Sequence, residues 1–154
     1  MEPPESGPPD EAKRARIDAL YARSKQHFPT VPDLSVEELE RLREVQPVVL
    51  LDVRKPPEQE VSMIPGAITR EELETHPDRY RDRPIVAYCT VGHRSGLYVR
   101  RLLDRGFEAY NLRGAILAWT HAGGELVRGE EPTRRVHVAG PQWNLAADGY
   151  EGVW

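Results

Sequence analysis

Apolar residues recur along this chain in two rhythms. Over residues 10–28, Ile17, Leu20, Tyr21, Ser24 and Phe28 fall at helical spacing, with Asp10 placed to cap the start and Pro29 to close the end. The pattern predicts an amphipathic helix within residues 10–30. A capping box at Ser35 and Glu38 opens a second, shorter helix with Val36, Leu39 and Leu42 on its buried face. Residues 48–51 and 85–88 differ: both are continuous apolar runs rich in β-branched residues. Strands apolar on both faces belong in a parallel sheet covered by helices on each side. Between them, Pro56 and Pro57 predict a loop over residues 55–63. Residues 64–68 predict a turn and a short strand, and Thr69 with Glu72 a second capping box. Residues 85–88 lead through a loop into a helix reaching about Arg105, with Gly106 at the left-handed cap position. A short strand over 108–112 and a helix over 115–122 follow, with Trp119 on its core face and Gly123 and Gly124 ending it. Strands alternating with helices predict an α/β domain with a central parallel sheet and right-handed crossovers.

The flanks carry different compositions. Residues 1–9 are polar and rich in Pro and Gly, and are expected to be disordered. The alternating pattern occupies residues 31–124. The tail over 125–154 holds Val136, Val138, Trp143, Tyr150 and Trp154, too apolar and aromatic for a linker. It is expected to pack back on the domain, with partner docking as the alternative.

Charge narrows the function classes. The chain has 154 residues, 21 Lys and Arg against 25 Asp and Glu, and a net charge of −4. The cations are scattered among acids, so nucleic acid is not the expected partner. No apolar run is long enough to span a bilayer, and the acidic start lacks the features of a secretory signal, so no membrane partner is expected. Cys89 is the only cysteine. It can form no intramolecular disulfide and no multi-cysteine metal site, and a reducing, cytoplasmic location is expected.

Cys89 stands where chemistry is expected. It follows a buried strand, at the carboxyl end where ligands of open α/β sheets sit. Its loop, "CTVGHR" over 89–94, runs directly into a helix beginning near Ser95. Gly92 permits a bend closed to other residues, so that the backbone N–H groups of Thr90, Val91, Gly92, His93, Arg94 and Ser95 can turn inward as an anion cradle. The helix N-terminus adds positive potential, Ser95 is placed to cap it, and Arg94 adds a cation beside the sulfur. An ordinary cysteine is only about a few per cent thiolate at neutral pH, and all of these features favour the thiolate. The bland alternative is a small core cysteine.

These residues match a family pattern. The stretch resembles the active-site loop of the rhodanese-like sulfurtransferases: a cysteine, four residues and a final basic or polar residue before a helix. "LDVR" at 51–54, "IPGA" at 64–67, the strand at 85–88, and "LRG" at 112–114 with Trp119 agree in order and spacing. The resemblance spans roughly residues 31–124. The family places Gly-His before Ile-Pro-Gly-Ala, where this chain has Ser62 and Met63. Thr90 and Val91 are neutral where thiosulfate-preferring members carry basic residues.

The resemblance implies a rhodanese-like fold, its parallel sheet flanked by helices on both faces. It also implies transfer of a sulfane sulfur through a Cys89 persulfide, from a small donor such as thiosulfate to a thiol or cyanide. A protein thiol is an alternative acceptor, and no metal or organic cofactor is required. Asp52 and Arg54, after the first buried strand, are expected either to brace the loop or to form an ordinary ion pair at a strand end. His93 is expected either to place charge near the anion or to face solvent. Two other functions stay open: a cysteine-dependent phosphatase, whose loop is one residue longer, and a non-catalytic module binding an anion or a partner.

Overall fold

The computed structural model describes residues 8–154. Of the segment expected to be disordered, residues 1–7 lie outside the described residues.

The chain runs α1 (Asp10–Lys25), β1 (Asp33–Leu34), α2 (Val36–Val45), β2 (Val49–Asp52), α3 (Pro56–Val61), β3 (Ile68–Thr69) and α4 (Arg70–Thr75). After a short 3-10 turn come β4 (Ile85–Tyr88), α5 (His93–Asp104), β5 (Ala109–Leu112) and α6 (Ala115–His121). The tail adds β6 (Leu126–Arg128), β7 (Glu131–Thr133), β8 (Arg135–His137) and β9 (Glu151–Val153). Five strands form one parallel sheet in the order β1-β5-β4-β2-β3. The α/β class and the parallel sheet agree with the hydrophobic pattern.

The period-2 rule sorts the sheet's side chains into two cores. Leu50, Val86, Tyr88 and Leu112 face one side, where Ile17, Leu20, Leu39, Ile116, Leu117 and Trp119 cover them. Val49, Leu51, Ile85, Ala87 and Cys89 face the other, under Leu73, Val99 and Leu102. Cys89 is therefore the first residue beyond a fully buried strand. Helix α1 reaches both cores, giving Ile17 and Leu20 to one and Tyr21 to the other. The tail closes the first core with Val136, Val138, Leu145 and Ala146. Lys13 Nζ donates to the Ala146 carbonyl (3.0 Å), and Ala147 N–H to Thr120 Oγ1 (3.0 Å).

The Ser35–Glu38 capping box forms in full, and Gly106 is left-handed (φ 85°). Four local expectations are corrected. Pro9, not Asp10, is the N-cap of α1; the Asp10 carboxylate instead accepts from Asp148 N–H in the tail (2.9 Å). Helix α1 ends at Lys25, and Phe28 is buried beyond it, against Gly96 of α5, where a Cβ would sit 2.2 Å from the ring. Thr69 caps α4, but Glu72 turns away to Tyr80 and Arg79, so only half of the second box forms. Residues 56–61, expected as loop, are helix α3. Proline is tolerated in the first helical turn, where its missing N–H would have no intrahelical partner, and Glu58 accepts from Lys55 N–H (2.9 Å) to close the start.

Candidate active site

Three carbonyls of the cysteine loop, those of Cys89, Thr90 and Gly92, are held by hydrogen bonds from other elements or from the following helix. Helix α6 begins with N–H groups that have no partner within the helix. Those of Ile116 and Leu117 donate to the carbonyls of Cys89 and Thr90 (both 3.2 Å). The Gly92 carbonyl accepts from Asn111 Nδ2 (2.9 Å) and from Gly96 N–H (3.2 Å). With these carbonyls engaged, Gly92 N–H points at Cys89 Sγ (3.2 Å), and Ser95 Oγ–H reaches the same sulfur (3.4 Å). Gly92 holds φ 129°, which L side chains rarely adopt.

Cys89 is 2 % exposed, yet it lines a cavity of about 580 Å³. Thr90, Val91, His93 and Arg94 line the same cavity. Gly92, which is buried, is the N-cap of α5, and Ser95 lies inside that helix. The Ser95 hydroxyl is spent on the sulfur instead of the helix end. His93 is exposed at the rim, edge-on to His27 with ring centroids 5.5 Å apart.

Arg94 is not a free cation. Its two terminal nitrogens each donate to one oxygen of Glu58 (both 2.8 Å), and Nη2 also donates to Thr90 Oγ1 (3.2 Å). The Glu58 bonds raise the Arg94 guanidinium's already high pKa. Burial alone would raise the Glu58 carboxyl, but the Arg94 bonds and the Lys55 N–H outweigh it and hold it at about 2. His137 Nδ1 lies 3.9 Å from the same carboxylate.

Asp52 and Arg54 form a wholly buried pair, not a surface one. Arg54 Nε and Nη2 grip the two Asp52 oxygens (3.0 and 2.7 Å), and Nη2 also donates to the Ser62 carbonyl (2.7 Å). Tyr88 O–H donates to Asp52 Oδ2 (2.8 Å) and accepts from Ile64 N–H (3.1 Å). Burial, and then the Asp52 charge, push the Tyr88 hydroxyl well above its ordinary value. The pair thus ties the end of β2 to the end of β4 and to the Ser62–Ile64 turn, one residue before Cys89. Among the described residues, none of its side-chain hydrogen bonds reaches residues 90–95.

The sequence pattern did not point to Glu58, because the proline pair hid its helix; proline followed by glutamate at the third helical position was the available signal. Nor did it point to the cavity walls outside the loop. Leu20, Arg23 and Ser24 come from α1, and His137, Ala139 and Trp143 from the tail. Their only trace in the sequence was the apolar and aromatic content of those flanks.

Comparison with known proteins places this geometry. The model of the Rhodanese-like domain matches residues 35–122, more than half of the chain. A sulfurtransferase of Allochromatium vinosum is 37 % identical over 98 residues, covering 59 % of this chain and 89 % of that protein. A tRNA sulfurtransferase of Desulfurococcus amylolyticus is 41 % identical over 80 residues, 52 % of this chain but only 16 % of that protein. Among solved structures, thiosulfate sulfurtransferase from Pseudomonas aeruginosa superposes with a TM-score of 0.55 at 26 % identity, covering 80 % of this chain and 24 % of that one. The matched segment contains both halves of the Cys89 loop, the Asp52–Arg54 pair and Glu58, and the chain belongs to the rhodanese-like domain family.

Proposed function

We propose that this protein is a sulfurtransferase that carries a sulfane sulfur as a persulfide on Cys89. The observation that carries this reading is the environment of Cys89 Sγ: it lines a cavity, accepts from Gly92 N–H, and sits in a loop whose Cys89, Thr90 and Gly92 carbonyls are bonded to other groups. Sequence relatives named sulfurtransferases support it.

The Cys89 thiolate attacks the outer sulfur of a donor such as thiosulfate. A new S–S bond forms, the donor's S–S bond breaks, and sulfite leaves with that electron pair. Charge is conserved: a monoanion and a dianion give a persulfide monoanion and a sulfite dianion. The terminal sulfur then passes to an acceptor thiolate or cyanide, and the Cys89 thiolate returns. Preorganised N–H donors stabilise negative charge without reorganising during the reaction. Gly92 N–H and Ser95 O–H serve the thiolate, and the remaining amides of the Thr90–Arg94 loop serve the added sulfur. Asp52 and Arg54 support the loop from behind, by fixing the end of β4.

Intact mass after incubation with thiosulfate tests this. The expected result is a gain of one sulfur atom on Cys89, lost again with cyanide as thiocyanate. No gain with any sulfane-sulfur donor overturns the reading.

A further inference from the structure

Two neighbouring cavities flank Lys55 and Arg94, and the one holding Cys89 is already larger than a small inorganic donor requires. The second, of about 360 Å³, shares Lys55 and Arg94 with the first and adds Arg70, Arg100 and Arg101. No acidic side chain lines it. Arg94 is neutralised by Glu58 and Arg70 by Glu74. Lys55, Arg100 and Arg101 form no ion pair among the described residues, although the chain as a whole carries a net charge of −4. Three uncompensated cations in one concavity focus a positive potential. The cavity holding Cys89 differs: beside Glu58, Arg94 and His137 it has an apolar side formed by Leu20, Val91, Ala139 and Trp143. Drug-sized organic molecules occupy cavities of roughly 300–1,000 Å³.

We propose that the acceptor is an organic thiol with a neutral arm and a phosphorylated head. The arm lies along the apolar cavity with its sulfur at Cys89, and the phosphates sit between Lys55 and Arg101. This rests on the persulfide reading above. In the transfer, the acceptor thiol gives up its proton and its sulfur bonds to the terminal sulfur of the persulfide. The Cys89 S–S bond breaks, the Cys89 thiolate is released, and the proton ends on the product persulfide or in solvent.

The test uses enzyme preloaded with thiosulfate, and compares coenzyme A with pantetheine, which has the same thiol arm and no phosphate. In the wild type at low salt, kcat/KM for coenzyme A is expected to exceed that for pantetheine by at least about tenfold, the ratio expected from about one good charge contact. The ratio should collapse towards one in Arg101→Glu and, separately, at high ionic strength, where exposed charges are screened. A ratio near one in the wild type, or one that survives both changes, overturns the proposal. Failure of thiosulfate to load Cys89 would instead sink the persulfide reading, so the two failures are distinct.

Discussion

The ring of Tyr21 fills the space that a side chain on Gly92 would need: a Cβ built there would stand 2.7 Å from Cδ1 and Cε1. Helix α1 lies outside the segment matched to the family, yet it closes directly over the loop that holds Cys89. Tyr21 O–H donates to Asp33 (3.0 Å) and accepts from Asn111 Nδ2 (3.2 Å), and the same Asn111 nitrogen holds the Gly92 carbonyl (2.9 Å). One amide group therefore links the α1 ring to the loop turn.

Gly92→Ala should damage the site twice, through the ring contact and through φ 129°. The strain of such a conformation costs about 1–3 kcal/mol for a residue with a side chain. Denaturant unfolding should show that loss, and thiocyanate production should fall at least about tenfold as the N–H moves off the sulfur. Adding Tyr21→Ala relieves the clash but not the backbone strain, so activity should not return to the wild-type level. A Gly92→Ala protein with wild-type turnover would show that the loop geometry does not matter.

Cys89→Ser should lose sulfur transfer completely. No other thiol exists in the chain, and a serine hydroxyl is essentially un-ionised at neutral pH. The serine oxygen can still accept from Gly92 N–H, so unfolding free energy should change by only about 1 kcal/mol. Thiocyanate formation at the wild-type rate would remove Cys89 from the mechanism.

The strands were legible because their side chains obey one rule at every position. Residues 85–88 are apolar throughout, and each side chain meets a helix-covered core. The loop was legible because its residues are contiguous. What the sequence hid depends on contacts between distant segments. Arg94 reads as a free cation until Glu58, 36 positions earlier, closes on it. Whether Asp52 and Arg54 brace the loop or form an ordinary strand-end pair is undecided until Tyr88 and the Ser62 carbonyl close around them. Trp143 and His137 reach the cavity only because the tail folds back, and no local pattern encodes that.

The Glu58–Arg94 pair makes a prediction that separates a cation's role from a stranded carboxylate's. Arg94→Ala should slow sulfur transfer by roughly 10- to 100-fold, as expected for about 1–3 kcal/mol of charge-assisted hydrogen bonding. Part of that loss comes from the unpaired Glu58 carboxylate repelling the anionic sulfur. Glu58→Gln in the Arg94→Ala background should therefore recover some of the rate; no recovery would mean that Glu58 is too far away to act. The pair also sets a pH dependence. Glu58 is depressed in the folded state, so its stabilisation is complete above the ordinary value of 4.5 and is lost as the pH falls to about 2. Unfolding free energy should drop more steeply across that window in the wild type than in Glu58→Gln.

Ending the chain before Trp143 should cost more stability than replacing that tryptophan. Truncation removes buried Leu145, Ala146 and Ala147 and unpairs β8 from β9. Deleting one buried leucine side chain alone costs about 2–5 kcal/mol. Trp143 is only half-buried and lines the cavity, so Trp143→Ala should keep most of the stability while raising KM for acceptors with an apolar arm. If truncation leaves the melting temperature unchanged, the tail is not part of the core.

The last prediction is that the protein transfers sulfur and does not hydrolyse phosphate esters. From Cys89 to Arg94 the loop has six residues, one fewer than the family resemblance implies for the cysteine-dependent phosphatases. A shorter ring of amides suits a single sulfur atom better than a tetrahedral phosphoryl group. The side chains point the same way. Arg94 is engaged by both oxygens of Glu58 and is not free to clamp phosphate oxygens. Glu58, the acid of the cavity wall, is held at about 2 and is ionised at neutral pH, so it has no proton for an alkoxide leaving group. Sulfite leaves as a stable anion and needs none. Assaying the wild type with p-nitrophenyl phosphate, and with thiosulfate plus cyanide, should give turnover only in the second. Inserting one residue between Gly92 and His93 should lower sulfur transfer, because the Gly92 N–H would no longer reach Cys89 Sγ. Phosphatase turnover that disappears in Cys89→Ser would overturn the assignment.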